Sequence, residues 1–452
     1  MKLLLYSIMA ILLYFLLFFG FEISSYLAIS LFVICHTLIF SLDAVRSSYR
    51  KINIYVILML TISVFLCGRF FAYILLLNDS VFRTTYMVYE TVTFEQLRAT
   101  SLYLIIFISV LSFTWHQISR YNFNSQDACL KSTSRTDVIG LIILLSCLVY
   151  YAYDMYKLRG LIGGNFLELY SDQNVAEYSS NIKVYFQLML FMAFGLLSVS
   201  KRKFLVKLSY ISLISISVFY LILGVRGLFF MIVILLVYVR YSRDGKGLKP
   251  KSIIILTVLV GFLIFLAQYV AATRAGIKFD LTSIKDILGL FLASQGSTFL
   301  LFNIAVTSLE SVPVDALLSL FIPAYGHVAN IFDYVPLQDL SLAHHFSNKV
   351  NSDLYSQGMG LGWSVLGDLY YLSIGNYVLF AILSYFLCGF IVGFEAFVKR
   401  NIYVRAIFYA IFTKIIMLPR SSLSSLFPSL FWALCILSFF YILIWIVFYA
   451  RR

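Results

Sequence analysis

Runs of about 17 to 24 consecutive apolar residues recur from the first residues of the chain to the last, and no other feature restricts its fold as much. At the helical rise of about 1.5 Å per residue, each run is long enough to cross the ~30 Å hydrocarbon layer of a bilayer. A water-soluble fold is excluded. Of 452 residues, 62% are hydrophobic and only 12% charged, which is more apolar side chain than one globular core buries. The pattern predicts an all-α polytopic membrane protein, one integral domain over residues 1–452 with about twelve transmembrane helices. They are expected at Leu3–Phe19, Ile23–Phe40, Ile54–Leu77, Ala99–Trp115, Val138–Tyr153, Val184–Val199, Leu208–Leu223, Gly224–Val239, Ile253–Val270, Tyr377–Phe394, Ala406–Leu418 and Leu430–Ala450. The first run has the position and lone Lys2 of a signal peptide, but no small-residue cleavage pattern follows it, so it is read as a retained helix.

The net charge of +13 does not point to nucleic acid, because the basic residues are spread over short connectors. Their distribution orients the chain instead. With the N-terminus inside, Lys2, Arg46, Arg50, Lys51, Arg120, Lys131, Arg135, Lys201, Arg202, Lys203, Lys207, Arg240, Arg243, Lys246, Lys249, Lys251, Lys399, Arg400, Arg405, Arg451 and Arg452 fall on one side. Only Asp43, Asp127, Asp137, Asp244 and Glu395 accompany them. That excess places both termini in the cytoplasm. Two connectors on the opposite side are enlarged, residues 154–183 and 271–376. The second contains apolar stretches, Leu288–Leu309 and Leu317–Ile322, that fit a pair of further crossings, a re-entrant hairpin or interfacial helices. Long loops on a rigid scaffold usually carry function, so the work of the protein is expected on this outer face.

Four arginines stand within or beside predicted spans, where insertion costs on the order of 2.5 to 3.5 kcal/mol each. Arg226 lies in Gly224-Val225-Arg226-Gly227, Arg274 follows Thr273, Arg420 follows Pro419, and Arg69 sits inside the third span. A guanidinium binds phosphate oxygens bidentately and keeps its charge in a dry site, so arginines converging at the outer leaflet would suit a diphosphate headgroup. The competing reading is that each snorkels outward or pairs with a loop carboxylate such as Asp280 or Asp333.

A second constellation runs from Gln357 to Gly375. A helix starting in its Gly-rich head would place Gly360, Ser364, Gly367 or Asp368, Tyr371 and Gly375 on one small, polar face. That face suits either a sugar groove, with Gly360, Gly362, Ser364, Tyr370 and Tyr371 around Asp368, or a close helix contact of the small-residue type. Trp363, Tyr325, Tyr370 and Tyr371 could stack on sugar faces or belong to an interfacial aromatic belt. Three histidines, His327, His344 and His345, lie in the same connector, and any of them, or Asp368, could take a proton from a sugar hydroxyl. No ligand set for a metal is spaced around them. The six cysteines lie almost entirely within apolar runs without CxxC spacing, so no disulfide framework is expected. No P-loop, Rossmann glycine pattern or other nucleotide motif is present and no cofactor is expected, so the energy for any reaction must arrive with the substrate.

With these residues in view, the chain resembles the O-antigen or oligosaccharide repeat-unit polymerases, the Wzy-type proteins of bacterial surface polysaccharide pathways. The resemblance rests on two enlarged outer loops among about a dozen spans, on Gly224-Val225-Arg226-Gly227, on Thr273-Arg274, on the Gly-rich stretch through Asp368, Tyr370 and Gly375, on Arg420 with Ser421 and Leu423, and on the segment from Arg159-Gly160-Leu161 to Tyr170-Ser171. Many members carry Glu where this chain has Asp368. The resemblance implies a GT-C-like glycosyltransferase of the bacterial inner membrane, with both large loops and the active site facing the periplasm. It would move a glycan from undecaprenyl diphosphate to the non-reducing end of an incoming lipid-linked repeat unit, in company with a chain-length regulator protein. Arg226, Arg274, Arg420 and Arg69 would hold the diphosphate. Rival functions for the same features are an O-antigen ligase joining glycan to lipid A core, and a flippase for lipid-linked sugars; a flippase would need charge along a central path rather than at the outer ends of a few helices.

Overall fold

The computed structural model describes residues 2–48, 51–83, 92–122, 132–161, 182–222, 226–243, 261, 265, 283–307, 311–332, 335–356 and 362–449. Among them there are helices and connecting turns but no strands. Among the described residues, six helices are long and apolar enough to cross a membrane, or up to eight if each of two bent helix pairs counts as one span. The helix expected at Ile253–Val270 lies outside the described residues apart from Gly261 and Phe265.

The chain divides into two compact units, each assembled from segments distant in sequence. The first comprises residues 1–121, 241–392 and 416–425. It contains α1 (Lys2–Phe15), which continues as a π turn to Gly20, then α2 (Tyr26–Ser47), α3 (Ile54–Phe65), α4 (Gly68–Leu76), α5 (Ser80–Arg83) and α6 (Phe94–Asn122). Exposed apolar side chains such as Leu5, Met9, Leu12, Leu31 and Leu42 run along α1 and α2, an arrangement that water would penalise and lipid solvates. Polar contacts fix one end of this group. Asp43 accepts from His116 (2.8 Å), Tyr55 (3.1 Å) and Ser112 (3.3 Å), while the Trp115 indole donates to Ser47 at 3.2 Å. Near the other end Arg98 donates to the Phe18 carbonyl at 2.7 Å and lies 4.4 Å over the Phe19 ring.

The straight span expected at Ile54–Leu77 is instead two half-helices, α3 and α4, bent by 52°. The connector 271–376 supplies a second bent pair, whose halves meet at 41° around Gly296. With the short helices that follow it, the pair forms one series. In order these are α11 (Ile284–Gln295), α12 (Ser297–Thr307), α13 (Val314–Leu318), α14 (Tyr325–Phe332), α15 (Leu342–Val350), α16 (Ser352–Ser356) and α17 (Val365–Leu372).

The second unit comprises residues 122–240, 393–415 and 426–452. Among the described residues it holds no bent helix pair: its helices are α7 (Ser134–Leu161), α8 (Ile182–Leu197) and α9 (Lys203–Ile222), followed by α10 (Arg226–Arg243). Helices α18 (Tyr377–Val398), α19 (Ile402–Ile416) and α20 (Leu423–Tyr449) contribute their parts beyond the unit boundaries. The outer loop expected at 154–183 begins later than the sequence suggests, because α7 continues to Leu161; residues 162–181 lie outside the described residues. Aromatic stacking of Tyr150 on Phe186, centroids 3.9 Å apart, joins α7 to α8. A Cβ on Gly195 would stand 2.8 Å from the Ala406 Cα, so α8 and α19 cross backbone to backbone. At one end Lys183 reaches Asp154 at 3.6 Å and Tyr220 donates to the same carboxylate. Near the other, Arg405 donates to Ser198 at 3.2 Å and Tyr238 to Glu395 at 2.8 Å.

Candidate functional site

The two bends of the first unit meet each other. A Cβ on Gly68 would lie 2.6 Å from the Leu292 carbonyl oxygen, and one on Gly296 would lie 2.6 Å from the Arg69 amide nitrogen. Only glycine permits two helix breaks to approach so closely. Breaking a helix frees backbone carbonyls, which must find partners away from water. The Phe65 carbonyl finds one across the crossing, accepting from Thr298 Oγ1 at 2.7 Å.

Two of the four arginines singled out in the sequence stand at this crossing. Arg69 is the second residue of α4, not the middle of a straight span, because the helix restarts at Gly68. It is 4% exposed, and its Nη1 donates to the Val81 carbonyl. Arg420 ends the 3-10 turn Leu418–Arg420, where Pro419 presets the backbone. Its Nη1 donates to Gln295 Oε1 at 2.5 Å, and its guanidinium lies 5.4 Å from the Phe65 ring centroid. Phe65 and Gln295 are the last residues of α3 and α11, so Arg420 bears on both breaks at once. For the other two, Arg226 opens α10 with its side chain undescribed, and Arg274 is outside the described residues.

Asp368 supports the turn that carries Arg420. Ser364 caps α17 by accepting from the Leu366 amide at 3.2 Å, which places Asp368 in the first turn. The carboxylate is fully buried and accepts three bonds. Trp363 Nε1 donates to Oδ1 at 2.7 Å, while Ser422 Oγ (2.9 Å) and the Leu423 amide (2.6 Å) donate to Oδ2. Burial pushes this carboxyl from its ordinary 3.8 up to about 7, with the three donors pulling the other way.

The expected sugar-groove residues are placed as follows. Gly360 lies outside the described residues, and Gly362 takes a left-handed backbone at φ +79°. Ser364 is buried. The half-buried Tyr370 and Tyr371 donate to the carbonyls of Val306 and Ala305 at 3.2 and 2.9 Å, fastening α17 to the end of α12. Trp363 is buried with Phe346 stacked on it at 5.2 Å, and Phe346 stacks on Tyr371 at 5.6 Å.

The histidines behave differently from Asp368. His344 and His345 are half-buried on α15. The Nδ1 atom of His344 lies 3.1 Å from the Tyr355 hydroxyl, and burial lowers its pKa, favouring the neutral imidazole. His345 meets the Phe346 ring edge-on at 5.3 Å. His327 belongs to α14, with its side chain undescribed. Among the described residues no group of three His, Cys, Asp or Glu side chains is placed to hold a metal ion.

Sequence reading overlooked Gln295, Thr298 and the structural use of the Trp363 indole. The polar run Gln295-Gly296-Ser297-Thr298, interrupting an apolar stretch, was the signal for the first two. A family model described as O-antigen polysaccharide polymerase Wzy matches residues 3–452. No curated protein and no solved structure matches the chain.

Proposed function

The chain belongs to the O-antigen polysaccharide polymerase family, and on that premise we propose that it extends a surface polysaccharide at the periplasmic face of the bacterial inner membrane. The donor is a glycan on undecaprenyl diphosphate, and the acceptor is the non-reducing end of a lipid-linked repeat unit. The bond between the donor's anomeric carbon and the diphosphate oxygen breaks, and a new bond forms from that carbon to the acceptor hydroxyl oxygen. The hydroxyl proton passes to a base, and undecaprenyl diphosphate leaves with the bonding pair.

The observation that carries this reading is that Arg69 and Arg420 each stand at the crossing of two broken helices. Negative charge grows on the diphosphate as it departs, and fixed guanidinium groups in a site of low dielectric stabilise it strongly. Discontinuous helices inside a membrane are where charged ligands are commonly held, since their ends present unpaired backbone groups.

For the base we assign His344 ahead of Asp368. Its imidazole is kept neutral by burial, with a lone pair to accept a proton at neutral pH, and sits on a helix that packs through Phe346 against Trp363. Both oxygens of Asp368 are already engaged by protein donors in a site that solvent does not reach.

The test is reconstitution of the purified protein with a defined lipid-linked repeat unit. Polymer ladders with stoichiometric release of undecaprenyl diphosphate are expected. Transfer to lipid A core alone, or transbilayer movement without bond formation, would replace the reading with a ligase or a flippase.

A further inference from the structure

A carboxylate without solvent exposure is costly to bury, so three donors converging on Asp368 indicate that its placement matters. Two of those donors, Ser422 Oγ and the Leu423 amide, begin two residues after Arg420 in the chain. The turn between them is short and stiff: Arg420 N bonds the Met417 carbonyl at 2.7 Å, Ser421 N bonds the Leu418 carbonyl at 3.2 Å, and Pro419 lies inside it. Whatever fixes residues 422 and 423 therefore fixes Arg420 over Phe65 and Gln295. On the other side, Trp363 donates to the same carboxylate and receives Phe346 from the helix that bears His344 and His345.

We propose that Asp368, held by Trp363 and holding Ser422 and Leu423, is a positioning residue that sets the Arg420 turn against the helix crossing so that the guanidinium meets the diphosphate. It touches no substrate and acts through Arg420. This inference rests on the polymerase reading above and assigns Asp368 a different role from proton transfer.

Ser422→Ala and Trp363→Phe each remove one donor while preserving volume or ring stacking, and Asp368→Asn replaces an acceptor oxygen by a donor. In detergent, binding of undecaprenyl diphosphate is followed by intrinsic fluorescence, and donor KM and kcat are measured on the folded protein. Each mild variant is expected to weaken binding and raise donor KM about tenfold, the factor that corresponds to one lost charge-assisted bond. Asp368→Asn should do so more strongly. At saturating donor, kcat should fall as well, because the displaced Arg420 no longer meets the charge that grows in the transition state, while the shape of the pH profile stays unchanged. In an Arg420→Ala background Ser422→Ala should have no further effect on binding, as expected for a residue acting through that arginine.

Wild-type affinity in both mild variants would overturn the proposal. So would effects that add independently to that of Arg420→Ala, which would mark a general structural role. Collapse of kcat in Asp368→Asn with normal KM and a lost pH limb would return the residue to proton transfer. Failure of the wild-type protein to bind undecaprenyl diphosphate, or to polymerise, would overturn the polymerase reading itself, a result distinguishable from unchanged variants of an active enzyme.

Discussion

In the unit built on α7 to α10, Lys183 faces Asp154 at 3.6 Å, Tyr238 donates to Glu395, and Arg405 donates to Ser198 while lying 4.9 Å over Tyr409. In the other unit Arg98 and Arg420 donate to a backbone carbonyl and to the Gln295 amide, and Arg69 to the Val81 carbonyl. The second arrangement holds each of these guanidinium groups through an uncharged oxygen. The first includes a lysine–carboxylate pair, Lys183 with Asp154, between helices that are not bent. On the function proposed above, the unit with the broken helices is the one that receives the diphosphate. Helix continuity follows the same division: the unit with the arginines at neutral oxygens is also the one whose helices break at Gly68 and Gly296.

The largest effect that would sharpen this contrast is on turnover. Arg420→Ala should lower polymerisation by a factor of about 100 or more, the usual result of removing a group that stabilises developing charge. Arg405→Ala should lower the yield of folded protein while leaving the rate per folded molecule near that of wild type. Equal rate losses in the two variants, measured with reconstituted protein, would erase the functional division.

Glycine substitutions probe the crossings. Gly296→Ala would push a methyl to within 2.6 Å of backbone, a clash of about 1 to 3 kcal/mol. Both melting temperature and activity should fall. Gly195→Ala meets the Ala406 backbone at 2.8 Å and should lower the melting temperature alone. Next, Lys183→Met strands the Asp154 carboxylate, with an expected loss of about 1 to 2 kcal/mol for a pair that keeps some solvent contact. The donor KM should not change. A shifted KM in that variant would show that the paired charges also serve the substrate.

The last effect is a slope with pH. The folded-state pKa of Asp368 is raised from 3.8 to about 7, so the folded protein keeps a proton that the unfolded chain releases. Its contribution to stability is present below about pH 4 and declines as pH rises towards 7, by at most about 1.4 kcal/mol per pH unit. Asp368→Asn should flatten the melting temperature against pH across that window. An unchanged slope would mean that the three donors outweigh burial and keep the carboxylate ionised throughout.

Much of this was legible in the sequence. Hydropathy located the long helices because a bilayer admits few alternatives, and the cost of an arginine in a span drew attention to Arg69 and Arg420 before their surroundings were known. The bends were not legible. A glycine inside an apolar run leaves hydropathy almost unchanged, so Ile54–Leu77 reads as one crossing, whereas the break lies against Gly296, far along the chain. Asp368 drew attention for its carboxylate, yet its role depends on Trp363 and Ser422, of which the second is distant in sequence. Gln295 was passed over because a single amide among leucines and phenylalanines resembles an ordinary tolerated polar residue.

The interlocked glycines also bear on how such a protein is made. Thr298 Oγ1 reaches the Phe65 carbonyl across 233 positions of chain, so the ribosome finishes the first bent pair long before its counterpart leaves the exit tunnel. Until then α3 and α4 lack the close contact that Gly296 makes with Gly68 and Arg69. Biogenesis therefore closes late, and a truncated nascent chain ending before Gly296 would leave the insertion machinery holding a half that has no mate.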